Sequence, residues 1–261
     1  MSRRSQSWPS SFLDSLEGER DYAAQIVHRQ PVAARPSAYQ SPDPALPDEL
    51  ARALAEAGIE RLYAHQTVAL QALRRGEDVI VVTGTASGKS LCYALSIGEA
   101  AFDEPGSTAL YLAPTKALAA SQHDMFKRLR LPGVLAEPYD GDTPPGERRF
   151  IRQNATLILT NPDMLHVGIL PNHGLWARTL RHLKYVVIDE AHSLRGVFGT
   201  HVALTMRRLR RIGMCLPNRS THEASLISMF RSLEISSGTK IPPAASERVL
   251  RLGMVTYLPP F

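Results

Sequence analysis

The sequence predicts an α/β fold, a mostly parallel sheet with helices covering both faces. Two features carry that expectation. Short runs rich in β-branched residues, Val79–Thr83, Ala109–Ala113, Val134–Tyr139, Thr156–Thr160 and Tyr185–Asp189, are apolar without alternation, as strands buried on both faces require. Between them lie helical stretches at about 88–101, 116–130, 145–153 and 163–170. Strand–helix–strand repetition with these lengths favours parallel pairing.

Ahead of the first strand, a helix is expected with Asp48 as N-cap, Leu50, Ala53, Leu54 and Ala57 on one face, and Gly58 as its stop. A second helical stretch, roughly 63–75, leads to Gly76. After Asp189 a helix at about 199–213 places Val202, Met206, Leu209 and Ile212 on one side. Arg207, Arg208, Arg210 and Arg211 cluster near its end, where positive charge suits the helix dipole and a solvated face is sufficient explanation. Three regions result: an N-terminal arm, partly extended (1–48), a folded domain (49–213), and a divergent or irregular tail (214–261) whose prolines and mixed polarity show no strand–helix period.

With 261 residues, 44% hydrophobic and 21% charged, the chain has the composition of an ordinary soluble globular protein with room for a sizeable core. Its net charge of +5 permits a polyanionic partner without demanding one. Cys92 and Cys215 form no CxxC pair, which excludes a disulfide framework and a four-ligand zinc site. His65, His123, His166, His173, His182 and His201 have no metal-ligand spacing. No apolar segment follows the basic N-terminus, and the run at 79–83 is too short to cross a bilayer. A cytoplasmic protein without a membrane partner is expected.

The strongest chemical signal is TGTASGKS at 83–90, between a buried strand and a helix. A glycine-rich turn at a helix N-terminus offers a ring of backbone N–H groups and the positive dipole end to phosphate oxygens. Thr85, Ala86, Ser87 and Gly88 would form the cradle, Lys89 would reach the β- and γ-phosphates, and the Ser90 hydroxyl would ligate Mg2+. The loop departs from GxxxxGK[ST] in having Thr83 at the first glycine position. The second signal is YVVIDEAH at 185–192, a buried strand ending in two carboxylates. An Asp-Glu pair after a strand is often only a solvated loop start. Downstream of a phosphate loop, with several strand–helix units between, Asp189 suits a magnesium-side carboxylate and Glu190 a group that orients the attacking water.

Together these motifs resemble the first lobe of a superfamily 2 DEAH-box helicase, a RecA-like P-loop NTPase fold. The resemblance implies ATP and Mg2+ as cofactors and further ordered motifs. Gln66 in LYAHQ resembles the adenine-reading glutamine, APTKALA at 113–119 resembles motif Ia, and TNPDMLH at 160–166 resembles motif Ib. It implies nucleic-acid contacts at Pro114, Thr115 and Lys116 and at Thr160, Asn161, Pro162 and Asp163, and a coupling role for His192. PTKALA and TNPDML argue against a nucleotide kinase. TGTASGKSLCY, YDGDTP at 139–144 and DEAHSLRGVFGTHVALTMRRLRRI are similar to the MrfA-type bacterial DNA-repair helicases, relatives of a fungal RecQ-like group. That subgroup implies DNA rather than RNA as partner, and it accommodates Thr83 and Ala86. Trp8 and Trp176 read as packed or exposed indoles rather than stacking platforms.

Family motors also carry motif III, a SAT-like triplet on the strand after DEAH, and a second lobe with an arginine finger. The sequence contains no SAT, and residues after Ile212 leave no space for another lobe. Two explanations stay open for 214–261: a foreign reading frame on a truncated gene, which the lost periodicity favours, or a short protein whose tail docks on a partner. Either implies impaired hydrolysis unless a second lobe or partner protein acts in trans. The alternative is a non-catalytic remnant that holds nucleic acid or protein.

Overall fold

A computed structural model of the chain describes residues 8–28, 37–83, 87–215, 225–231 and 255–258. The chain divides into two units, 1–37 and 38–261. The first holds helix α1 (Trp8–Glu17), in a stretch expected to be partly extended.

The second unit is built on a parallel sheet. Its strands are β1 (Asp78–Thr83), β2 (Thr108–Leu112), β3 (Ala136–Pro138), β4 (Leu157–Thr160), β5 (Leu183–Ile188), β6 (Ser225–Arg231) and β7 (Val255–Leu258). They lie in the order β3-β4-β2-β5-β6-β1-β7, every pairing parallel. The helices are α2 (Asp48–Glu56), α3 (Ala64–Arg74), α4 (Ser90–Asp103), α5 (Lys116–Leu129), α6 (Pro145–Asn154), α7 (Pro162–Met164), α8 (Ala177–Arg181) and α9 (Gly196–Cys215). A π-helical segment, Leu165–Ile169, continues α7.

The non-alternating strands bury both faces because successive side chains point to opposite sides. Ala109, Tyr111, Leu157, Leu159 and Val187 belong to one core with Leu50 and Leu54 of α2, Leu70 of α3, Tyr93 and Leu95 of α4 and Phe126 of α5. Leu110, Leu112, Ile158, Val186 and Ile188 belong to the other, with Ile151 of α6, Leu165, Ile169, Leu180 of α8 and Leu209 of α9. Across the first core's rim, Arg74 and Glu99 form a fork-to-fork ion pair, with Arg74 Nε 2.9 Å from Glu99 Oε2. The Arg74 guanidinium also donates to Pro44 O at 2.6 Å.

Two expectations are corrected. Asp48 is the first residue of α2 rather than its N-cap; Pro47 holds the cap position, with no side-chain hydrogen bond, and the acidic Asp48 and Glu49 instead complement the dipole in the first turn. Gly58 does close the segment, with φ 81°. The 214–261 stretch is not without strands: β6 sits between β5 and β1, and β7 pairs with the outer edge of β1. Ser225 and Ser228 break the apolar run in SLISMFR, so a central strand failed to read as one. The strand on which motif III was sought therefore exists, and it carries no SAT triplet.

Candidate functional site

Parallel pairing brings the C-terminal ends of β4, β2, β5, β6 and β1 to one edge of the sheet. Leu112 is level with Thr160 on one side and with Ile188 on the other. Ile188 and Ile80 are both level with Ser228 of β6. The phosphate-loop strand and the DEAH strand are thus separated by a single strand, roughly 10 Å. Thr83 and the segments 87–90, 113–116, 160–163 and 189–192 share one lip.

Of the phosphate loop, Ser87, Gly88, Lys89 and Ser90 are described; Thr85 and Ala86 lie outside the described residues. Thr83, the departure from the common pattern, has its hydroxyl 2.6 Å from Ser87 Oγ, closing the loop across its base. Gly88 has φ 75°, a left-handed conformation that glycine adopts without penalty. Lys89 occupies the N-cap position of α4, with Ser90 the first helical residue, so the helix begins at the phosphate-binding segment.

Gln66 lies under this loop and is 1% exposed. Its Oε1 accepts from Tyr63 N–H at 2.9 Å, and its Nε2 donates to Gly88 O at 3.0 Å. The amide therefore joins the start of α3 to the phosphate loop. Both ends are engaged within the chain, leaving one N–H and one lone pair for any base. Beside it, His65 stacks on Tyr63 at 5.8 Å and Tyr63 on Tyr39 at 5.1 Å, with the Arg61 guanidinium 4.1 Å above Tyr39. Burial pushes the His65 imidazole below its ordinary pKa, with the Ser87 backbone opposing that shift.

Asp189 follows β5 directly. Its backbone N–H donates to Leu112 O at 3.0 Å, its Oδ1 accepts from Glu190 N–H at 2.8 Å, and its Oδ2 accepts from the Tyr111 hydroxyl. Glu190 has φ 47°, a conformation that costs a non-glycine residue about 1–2 kcal/mol and that turns the chain away from the strand. His192 Nδ1 comes within 3.1 Å of Glu190 Oε2 but is not aligned as a hydrogen bond. Tyr111 and Tyr93 have ring centroids 5.5 Å apart. The Tyr93 phenol donates to Gln122 Oε1, and Tyr93 lies three residues beyond Ser90, on the same face of α4. Asp189 is thus held by one of two packed, buried tyrosines, and the other shares a helix face with Ser90. A cavity of about 310 Å³ opens beside Ser90, lined by Gly88, Gln122 and Arg128 among others.

At the neighbouring strand ends, Thr115 caps α5 by accepting from Leu118 N–H at 3.3 Å. Thr115 and Lys116 are exposed, with Lys116 ion-paired to Asp142 of the YDGDTP turn. Asn161 caps α7, its Oδ1 accepting from Met164 N–H at 2.7 Å. Thr160 and Pro162 are buried and Asp163 is exposed, with Oδ1 3.4 Å from His201 Nε2 of α9. Trp176 is buried edge-to-face against Tyr139 at 4.7 Å, a packed indole as expected. The Trp8 side chain lies outside the described residues.

Sequence reasoning missed Tyr93, Tyr111 and Gln122, because a tyrosine in an apolar run reads as core. It also missed the Tyr39–Tyr63–His65 stack, although LYAHQ marked its second half. Among the described residues, no cluster of His, Cys, Asp or Glu could hold a metal by itself, and no helix is long and apolar enough to cross a membrane.

Residues 63–229 match the DEAD/DEAH box helicase family. The chain is 43% identical over 214 residues to the ATP-dependent helicase HRQ1 of Saccharomyces cerevisiae, which covers 80% of this chain and 20% of that one. It is 40% identical over 207 residues to the uncharacterized ATP-dependent helicase YprA of Bacillus subtilis, covering 78% of this chain and 27% of that protein. The chain spans about a fifth to a quarter of these curated relatives. Among solved structures, the DUF1998 helicase MrfA bound to DNA superposes with TM-score 0.80 at 32% identity, over 97% of this chain and 34% of that one.

Proposed function

The chain belongs to the DEAD/DEAH box helicase family, and from that membership we propose that this 261-residue polypeptide binds Mg-ATP at the β1–β5 lip and single-stranded DNA along the adjoining β2–β4 ends. The observation that carries the nucleotide half is the parallel register, which brings the end of β1 and the end of β5 to one lip on either side of β6, with α4 beginning at Ser90 and the Asp189 carboxylate held by Tyr111. A serine hydroxyl and a carboxylate are hard oxygen donors, as magnesium requires, so the residues present fit that ion. Ser90 would hold it directly and Asp189 through water. When bound, the ion supplies charge neutralisation across the β- and γ-phosphate oxygens. Lys89 adds a cation to the same oxygens, and the backbone N–H groups of 87–90 orient the phosphates. Glu190 orients the attacking water, and His192 beside it links that group to the rest of the lip. Gln66 reads adenine through its remaining amide valences, at the end that also holds Gly88.

DNA is the preferred nucleic acid because MrfA, similar over nearly the whole chain, is described bound to it. Lys116 and the α5 and α7 N-termini would meet phosphates, whereas buried Thr160 and Pro162 would contribute backbone only. In the family an arginine finger from a second lobe is worth roughly 10³–10⁵ in turnover. The test is titration of a fluorescent ATP analogue into wild type and Lys89→Ala, with single-stranded DNA binding measured alongside. Loss of nucleotide binding in the variant supports the reading. DNA binding that persists without any nucleotide binding in wild type selects instead a non-catalytic binding module.

A further inference from the structure

Two buried hydroxyls under the phosphate loop go unused in the chemistry above. Tyr93, three residues past Ser90 on α4, and Tyr111 on β2 are 1% and 0% exposed. Phenylalanine would fill the same core, and a buried hydroxyl is costly unless it is bonded. Both phenols are bonded, and each to a group that matters at the lip. Tyr111 donates to Asp189 Oδ2, and Tyr93 donates to Gln122 Oε1 of α5. With Oδ1 already accepting from Glu190 N–H, the Asp189 carboxylate is fixed at both oxygens. Each oxygen keeps a lone pair for a metal-bound water.

We propose that Tyr111 is a positioning residue for metal binding, its hydroxyl holding the Asp189 carboxylate in the orientation that receives hydrated magnesium. Tyr93 extends the arrangement, packing against Tyr111 and, through Gln122, reaching the helix that begins at Lys116. The contact is second-hand with respect to the metal: Tyr111 acts on the ion only through Asp189. Partners of this kind orient a ligand and set its basicity, and their loss commonly weakens metal affinity 10- to 100-fold. This inference rests on the reading of Asp189 as the magnesium-side carboxylate.

The experiment measures binding of a fluorescent ATP analogue to the full 261-residue chain while Mg2+ is titrated from an EDTA-buffered start. Tyr111→Phe keeps the ring and removes only the hydroxyl. Its metal-free nucleotide affinity stays within about twofold of wild type, while the Mg2+ midpoint rises about tenfold. Asp189→Ala loses the Mg2+ response. If Asp189→Ala retains that response, the carboxylate assignment itself fails. If Asp189→Ala loses it but Tyr111→Phe has the wild-type midpoint, the positioning role is overturned. Melting curves in EDTA check that Tyr111→Phe is folded. Should it not be, wild type and Asp189→Ala carrying tyrosine labelled with carbon-13 at Cζ decide: a Tyr111 resonance that moves when Asp189 is removed and when Mg2+ is added to the nucleotide-bound chain supports the proposal, and one that moves in neither case overturns it.

Discussion

Gly88→Ala perturbs a place where the phosphate loop and the Gln66 amide touch. Gly88 has φ 75°, and a Cβ there would stand 2.6 Å from Gln66 Nε2. An alanine held in the left-handed region costs about 1–2 kcal/mol. Displacing Gln66 breaks its bond to Gly88 O, and a typical hydrogen bond contributes about 1 kcal/mol net. The combined penalty is about 2–3 kcal/mol, roughly 30- to 150-fold in an equilibrium constant. If the loop keeps its shape, the penalty lowers stability. If the loop relaxes, stability recovers and the phosphate cradle is lost, so the penalty moves to nucleotide affinity. Urea unfolding of the free chain and nucleotide titration are therefore read together, and their summed loss is the predicted quantity. Gln66→Ala removes the obstructing amide, so adding it to Gly88→Ala costs less than the two single losses combined, by about 1 kcal/mol. Wild-type stability together with wild-type affinity in Gly88→Ala, or strict additivity with Gln66→Ala, would refute the reasoning.

Other perturbations separate packing from recognition. Trp176→Ala removes a buried indole from the second core and lowers unfolding free energy by about 3–5 kcal/mol; unchanged stability in urea would contradict its packing role. Asp142→Asn frees Lys116 from an exposed ion pair, so single-stranded DNA binds tighter, by no more than about fivefold. The gain disappears in a Lys116→Ala background, and an equal gain there would show a non-specific charge effect. Burial pushes the Cys92 thiol from 9.0 to about 12 and the Tyr185 phenol from 10.0 to about 12. Both groups favour the folded state fully below about pH 9 and progressively less as pH rises towards 12, because the unfolded groups ionise first. Urea midpoints compared at about pH 8 and pH 10.5 test that fall. At about pH 8 a thiol reagent labels exposed Cys215 in the native protein and reaches buried Cys92 only after unfolding.

Much of this arrangement was legible because its signals are local. Continuous apolar runs announced β1, β2, β4 and β5, and the residues that end them are those placed at the lip. Lys89 and Ser90 follow β1 by a short turn, and Asp189 is the first residue beyond β5, so parallel pairing alone brings them to one edge. What escaped was set by distant neighbours or by broken patterns. The serines of SLISMFR hid β6, and α1 was lost among the Ser- and Pro-rich residues around it. Nothing within ALYLAPT distinguishes a core tyrosine from one that bonds Asp189, 78 positions away. Gln66 was identified by likeness, but its hold on Gly88, 22 positions on, appears only in three dimensions.

A crystal structure of the chain grown with Mg2+ and a non-hydrolysable ATP analogue is the most direct measurement. The predicted result is a metal about 2.1 Å from Ser90 Oγ, one water away from Asp189, with Lys89 on the terminal phosphates. A nucleotide lodged away from residues 87–90, or a metal that neither Ser90 nor a water held by Asp189 touches, would contradict it.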